Sequence, residues 1–276
     1  IETTVDGKLF VTARGWEDLS ELLYVYEKLG KEADAQVTGQ YLQYPRVARD
    51  FANFLELYHK YHRDYQIEEV LKGNVTPQAI SKLHFAGFDE KVSVTGLLLS
   101  RLGEEFRAAY WKDKLVTELY ARLKGIQREI SGGESVRKAV EETCALIEEQ
   151  YRKEKQSELL TKGGERIFRE LLSWFQKRQQ EEDFEKIRED FAGETDARQA
   201  LLDGAGEMLE YAFDFMEAAF GKGQELVLFV TELTAGFYSS WYIRENGCDR
   251  YYQYNKGLLF AERQQEISGH IEEARD

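Results

Sequence analysis

DEKVSVTGLLLSRLGEEFRAAYWKDKLVTELYARLKGIQREI, Asp89 to Ile130, is the stretch on which the fold turns. Leu98, Leu102, Phe106, Ala109, Val116, Leu119, Leu123 and Ile126 keep the i, i+3, i+4 rhythm of one helical face, and no proline interrupts them. A single long amphipathic helix follows from that spacing.

The pattern continues outward on both sides. Upstream, Trp16, Leu19, Leu22, Leu23 and Tyr26 predict a helix from about Gly15 to Leu29, with Gly30 placed as a C-terminal cap. A short helix over Gly39–Tyr44 precedes Pro45, which suits the first turn of a helix running to Val70. Lys72-Gly73-Asn74 breaks the pattern, and Thr76-Pro77 opens another helix that Gly87 closes. Downstream, Ser131-Gly132-Gly133 is a turn, and Ser135 caps a helix bearing Val140, Cys144 and Ile147. Gly163-Gly164 reads as the next turn, Glu165–Phe191 as one helix, and Gly193 with Asp196 as a break before a helix over residues 197–220. Leu226-Val227-Leu228-Phe229-Val230 is apolar throughout, which suits a buried helix or a buried strand; its neighbours favour the helix. A last helix is expected from Lys256 to Ala274. Only Val5–Thr12, with its Asp6-Gly7 turn pair, has a strand-like reading. The expectation is an all-α fold of antiparallel helical bundles with a short N-terminal extended segment, divided into residues 1–72 and 73–276.

Composition agrees with that reading and narrows the function. Only 2 prolines occur in 276 residues, which permits many long helices. The 42% of hydrophobic residues suffices for packed cores. A net charge of -14 repels a phosphate backbone, so nucleic acid is not an expected partner. No run reaches the about 18 apolar residues that read as a membrane span. Cys144 and Cys248 are too far apart in sequence for a disulfide framework or a zinc motif and read as reduced thiols of a cytoplasmic protein. The opening Ile1-Glu2-Thr3-Thr4-Val5, without an initiator methionine, reads as a piece of a longer protein.

Few residues offer chemistry. The phosphate-loop pattern G-x-x-x-x-G-K-[ST] is absent, and Gly204-Ala205-Gly206 lies inside a helical pattern, where close packing explains it. Glu56 and His59 supply one E-x-x-H pair, but a di-iron bundle needs a second, which the sequence lacks. The aromatic runs around Tyr41, Tyr110, Trp241 and Tyr251 suit base stacking, a core or a protein interface alike. The chain is therefore not expected to catalyse a reaction alone. Arg14 stands apart: a cation at a helix start opposes the helix dipole, so an anionic ligand or the nearby Glu17 and Asp18 must compensate it.

The string Val11-Thr12-Ala13-Arg14-Gly15-Trp16-Glu17-Asp18-Leu19-Ser20, together with Asn246–Gln264, resembles MoxR-type AAA+ ATPases. In that family a Ser/Thr-x-Arg motif opens a lid helix, and its arginine senses the γ-phosphate. Thr12-Ala13-Arg14 matches it, although the common Ser-Pro-Arg-Ala form is not kept. The resemblance implies that residues 1–72 are an AAA+ lid whose last helix is Pro45–Val70. Arg14 would contact ATP, held with magnesium in an upstream core, and residues 73–276 would be a helical extension. The implied partners are that core, neighbouring subunits of a ring and a protein client, in ATP-driven protein remodelling. No cofactor is expected for this chain alone. The competing reading is a free-standing helical scaffold or adaptor with no nucleotide role.

Overall fold

A computed structural model describes residues 2–4, 7–157 and 160–257. The described chain is all-α apart from one two-stranded hairpin, β1 (Glu2–Thr4) and β2 (Gly7–Leu9), paired antiparallel with Glu2 opposite Leu9. It divides into two compact units, residues 1–98 with 218–220, and residues 99–217 with 221–276.

In the first unit, α1 (Ala13–Lys28) starts where Thr12, in extended backbone, accepts a 3.0 Å hydrogen bond from the Gly15 amide. It ends as the sequence predicts. Gly30 takes φ 62, and the Lys31 amide reaches back 2.8 Å to the Tyr26 carbonyl. Asp34 caps α2 (Ala35–Tyr41) through the Gln36 and Val37 amides. That helix lies four residues earlier than the Gly39 start expected, because the Asp34 carboxylate supplies the stronger cap.

Pro45 opens α3 (Pro45–Tyr65), which does not reach Val70 unbroken. Gln66 adopts left-handed backbone at φ 48 and separates it from the single turn α4 (Ile67–Val70). The turn lets Tyr65 and Ile67 both be buried, which a straight helix, placing residues two apart on opposite sides, does not allow; Val70 and Leu71 then share the Ile67 face. Thr76 and Pro77 begin α5 (Pro77–Phe85) as expected. Tyr65 is buried at the end of α3. Its hydroxyl donates a 2.6 Å bond to Glu90 in the first turn of α6 (Phe88–Ser131), while Lys82 of α5 lies over its ring and pairs with Asp64 at 2.6 Å. Burial and the Glu90 carboxylate push the Tyr65 phenol well above its usual range.

The second unit takes most of α6 with α7 (Val136–Gln156), α8 (Lys162–Gln176), α9 (Phe184–Phe220), α10 (Gln224–Ala235), α11 (Phe237–Asn246) and α12, described over residues 249–257. A core of Leu115, Leu119, Leu123 and Ile126 from α6 meets Val140 and Ile147 of α7, Leu171 and Phe175 of α8 and Ile187 of α9. The long α6 seam read from the sequence is thus the wall on which this bundle is built. Residues 226–230 are helical, within α10.

Two expected breaks do not form, and one unexpected break does. Gly163-Gly164 is the first turn of α8, not a turn between helices: Thr161 caps the helix by accepting a 3.1 Å bond from the Gly164 amide, and the Trp111 ring occupies the space a Gly163 side chain would take. Gly193 and Asp196 lie inside an unbroken α9. There Glu194 binds Lys112 and accepts a 3.1 Å bond from the Trp174 indole, and Arg198 pairs with Asp113 at 2.6 Å, so cross-helix pairs hold the backbone where a glycine alone weakens it. The expected single helix Glu165–Phe191 is instead two, α8 and α9. Arg178 folds back in the intervening turn to lie 3.7 Å over Trp174, and Asp183 caps the new helix. The expected last helix, Lys256–Ala274, lies outside the described residues after Gly257.

Candidate functional site

Arg14 sits at the second residue of α1. With Thr12 spent on Gly15, the first intrahelical bond runs from the Trp16 amide to the Thr12 carbonyl at 3.2 Å. The amides of Ala13 and Arg14 therefore face outward with no acceptor within the helix, and the dipole leaves that end partly positive. The guanidinium adds a full charge. Its side chain is 88% exposed, and among the described residues its one ion pair, Nε to Asp18 at 3.7 Å, is between two solvated groups. Surface pairs of this kind contribute at most about 1 kcal/mol, so an anion can displace Asp18 at little cost.

The site is backed by a polar depression of about 330 Å³ lined by Phe10, Thr12, Arg14, Gly15, Asp18, Gln40, Tyr41 and Gln43. Its back wall is rigid. Gly15 lies so close to the end of α2 that a Cβ there would stand 2.6 Å from the Tyr41 carbonyl oxygen. Leu19, one turn on, is fully buried against Leu42 and Ala48. Thr38 fixes the turn between α2 and α3 by donating 3.0 Å to the Ala48 carbonyl. The helix end is thus held from behind while the arginine is left free to move in front.

Such an arrangement can hold an anion by charge and by a fork of N–H donors. Among the described residues no group of three or more His, Cys, Asp or Glu is placed to hold a metal ion. The Glu56 and His59 pair stays alone on α3, with His59 edge-on to Tyr58.

The other aromatic segments are used in packing. Tyr110 is ringed edge-on by Trp111, Phe237, Tyr238 and Trp241. Tyr251 shares a 2.9 Å hydrogen bond with Thr234, and Tyr254 stacks on Phe213 and donates to Glu217. Tyr242 donates 2.7 Å to the Leu202 carbonyl, and its oxygen fills the space beside Gly206, so Gly204-Ala205-Gly206 is a close helix approach. Both cysteines are free and buried; burial raises both thiols, that of Cys248 to about 11.

Sequence reading did not find the groove between α6 and α9 lined by Tyr120 and Phe191, taken up below. Both residues fit the apolar rhythm and carry no mark that separates a groove from a core.

What fold and site define is an all-α protein of helical bundles that presents one cationic helix end. Searches for its relatives found no matching family model, no matching curated protein and no matching solved structure. Among the described residues, no helix is long and apolar enough to cross a membrane.

Proposed function

We propose that residues 1–72 are the nucleotide-sensing lid of a MoxR-type AAA+ ATPase and that residues 73–276, which include the second unit, are its partner-binding extension, in ATP-driven protein remodelling. The ATP-binding core such a lid closes on is not within these 276 residues, which carry no phosphate loop. One observation carries the reading: Arg14 is 88% exposed at an open helix N-terminus and loosely held by Asp18. A guanidinium placed so can meet the charge that develops on a transferred phosphoryl group. Magnesium and the attacking water belong to the core; the part this chain plays is to bring the arginine to the γ-phosphate and withdraw it.

The test is Arg14→Ala in the natural-length protein. ATP turnover or nucleotide affinity falls about ten- to a hundredfold, the loss of one charge-assisted contact. Melting moves by no more than about 0.5 kcal/mol in stability, because the side chain is exposed. Arg14→Lys restores little, since an ammonium lacks the planar fork. These 276 residues alone release no phosphate above a mock preparation. A natural-length protein without ATPase activity, or one whose turnover ignores Arg14→Ala, overturns the nucleotide role and leaves the scaffold or adaptor reading.

A further inference from the structure

The second unit has an open groove between α6 and α9, about 530 Å³ in volume. Its floor is apolar: Leu123 is buried, Phe184 and Phe191 are half-buried, and Tyr120, 50% exposed, stacks on Phe191 with ring centres 6.2 Å apart. The lining runs from Tyr120 to Gln127 on one side and from Phe184 to Thr195 on the other. At 1.5 Å per residue these walls are about 10 Å and about 16 Å long, room for two to three turns of a helix.

The rims carry opposite charge. Lys124 stands on the α6 rim, 4.5 Å over the Tyr120 ring, and Glu189 stands on the α9 rim. Among the described residues neither has an ion-pair partner. The remaining charges there, Arg188 and Glu185, neutralise each other at 2.8 Å. An apolar trough with one lone cation on one edge and one lone anion on the other matches an amphipathic helix of complementary edges.

We propose that this groove docks an amphipathic helix of a protein partner. Its apolar ridge lies on Tyr120, Leu123 and Phe191, its acidic edge faces Lys124, and its basic edge faces Glu189. The proposal rests on reading the second unit as the partner-binding part and is independent of Arg14, whose role is read from turnover alone.

Three synthetic helices of about 15 residues test it. They share one apolar ridge and differ only in its flanking edges: one acidic and one basic, both acidic, or both basic. Titrated against the 276-residue chain by fluorescence anisotropy, the mixed-edge peptide binds best, by about tenfold over either uniform one. Lys124→Glu makes both rims acidic and moves the preference to the peptide with two basic edges. Glu189→Lys moves it to the peptide with two acidic edges. The double variant returns it to the mixed peptide, which now lies in the reverse direction. Both positions are exposed, so melting curves of the variants overlay the parent. Absence of saturable binding, equal affinity for the three peptides, or a preference that the variants do not move overturns the proposal.

Discussion

The two units spend their apolar residues differently. Among the described residues, nine of the large hydrophobic side chains left exposed lie in the first unit, and five lie in the longer second one. In α1 only Gly15 and Leu19 are buried, while Tyr24, Val25 and Leu29 remain in solvent. In α7, by contrast, Ala139, Val140, Cys144 and Ile147 all close on one core, and Thr143 is buried as well. Amphipathic patterning is present in both helices. In α7 most of it is spent on the core, Leu146 staying exposed, and in α1 more of it is left unspent.

The sharpest way to break this contrast compares one residue type in both units. Phe175 is fully buried, so Phe175→Ala costs about 3–5 kcal/mol by chemical denaturation. Phe85 is 86% exposed, so Phe85→Ala stays within about 0.5 kcal/mol. Equal losses would mean that the first unit hides its apolar side chains after all.

Alkaline titration probes burial in the second unit. The Cys248 thiol lies at about 11 when folded and near 9.0 when free, so the unfolded chain gives up its proton first. The stability this burial confers is whole below about pH 9 and is lost as the pH rises through about 11, by at most about 2–3 kcal/mol. Cys248→Ala removes that slope from a pH series of denaturation curves. The Tyr242 phenol, raised to about 12 mainly by its burial, extends the fall beyond it. A slope unchanged by Cys248→Ala sinks the assignment.

Two glycines sharpen the comparison at smaller scale. Gly15→Ala puts a Cβ 2.6 Å from the Tyr41 carbonyl oxygen, a backbone atom that cannot swing aside. Overpacking of about 1–3 kcal/mol outweighs the gain of about 1 kcal/mol in helix propensity, so the first unit melts lower. Gly125→Ala meets open space on α6 and raises stability by about 0.5–1 kcal/mol. A stabilising Gly15→Ala would show that α1 is free to move off α2, and that the back wall of the Arg14 site is soft.

Much of the fold was legible because its signals are local. The α6 seam, the caps at Thr12, Thr76 and Ser135, and the left-handed Gly30 each depend on residues within a turn or two of one another. Arg14 was legible for the same reason: a cation at a helix start is anomalous by itself. Glu17, the other local candidate to compensate it, could not be separated from Asp18 by spacing; the structure places the Asp18 carboxylate at 3.7 Å.

By itself, then, the sequence determined that the chain is helical, where most helices begin, and that Arg14 stands at a helix start against the dipole. Tertiary structure alone decided which breaks are real. α9 runs through Gly193 because Glu194 and Arg198 find Lys112 and Asp113 on α6. The turn before Phe184 forms, with no proline or glycine to mark it, where Arg178 finds Trp174 and Asp183 caps the next helix. Caps and periodicity act over a few residues of chain, whereas those pairings join residues up to 85 apart, and no local pattern encodes which of them will meet.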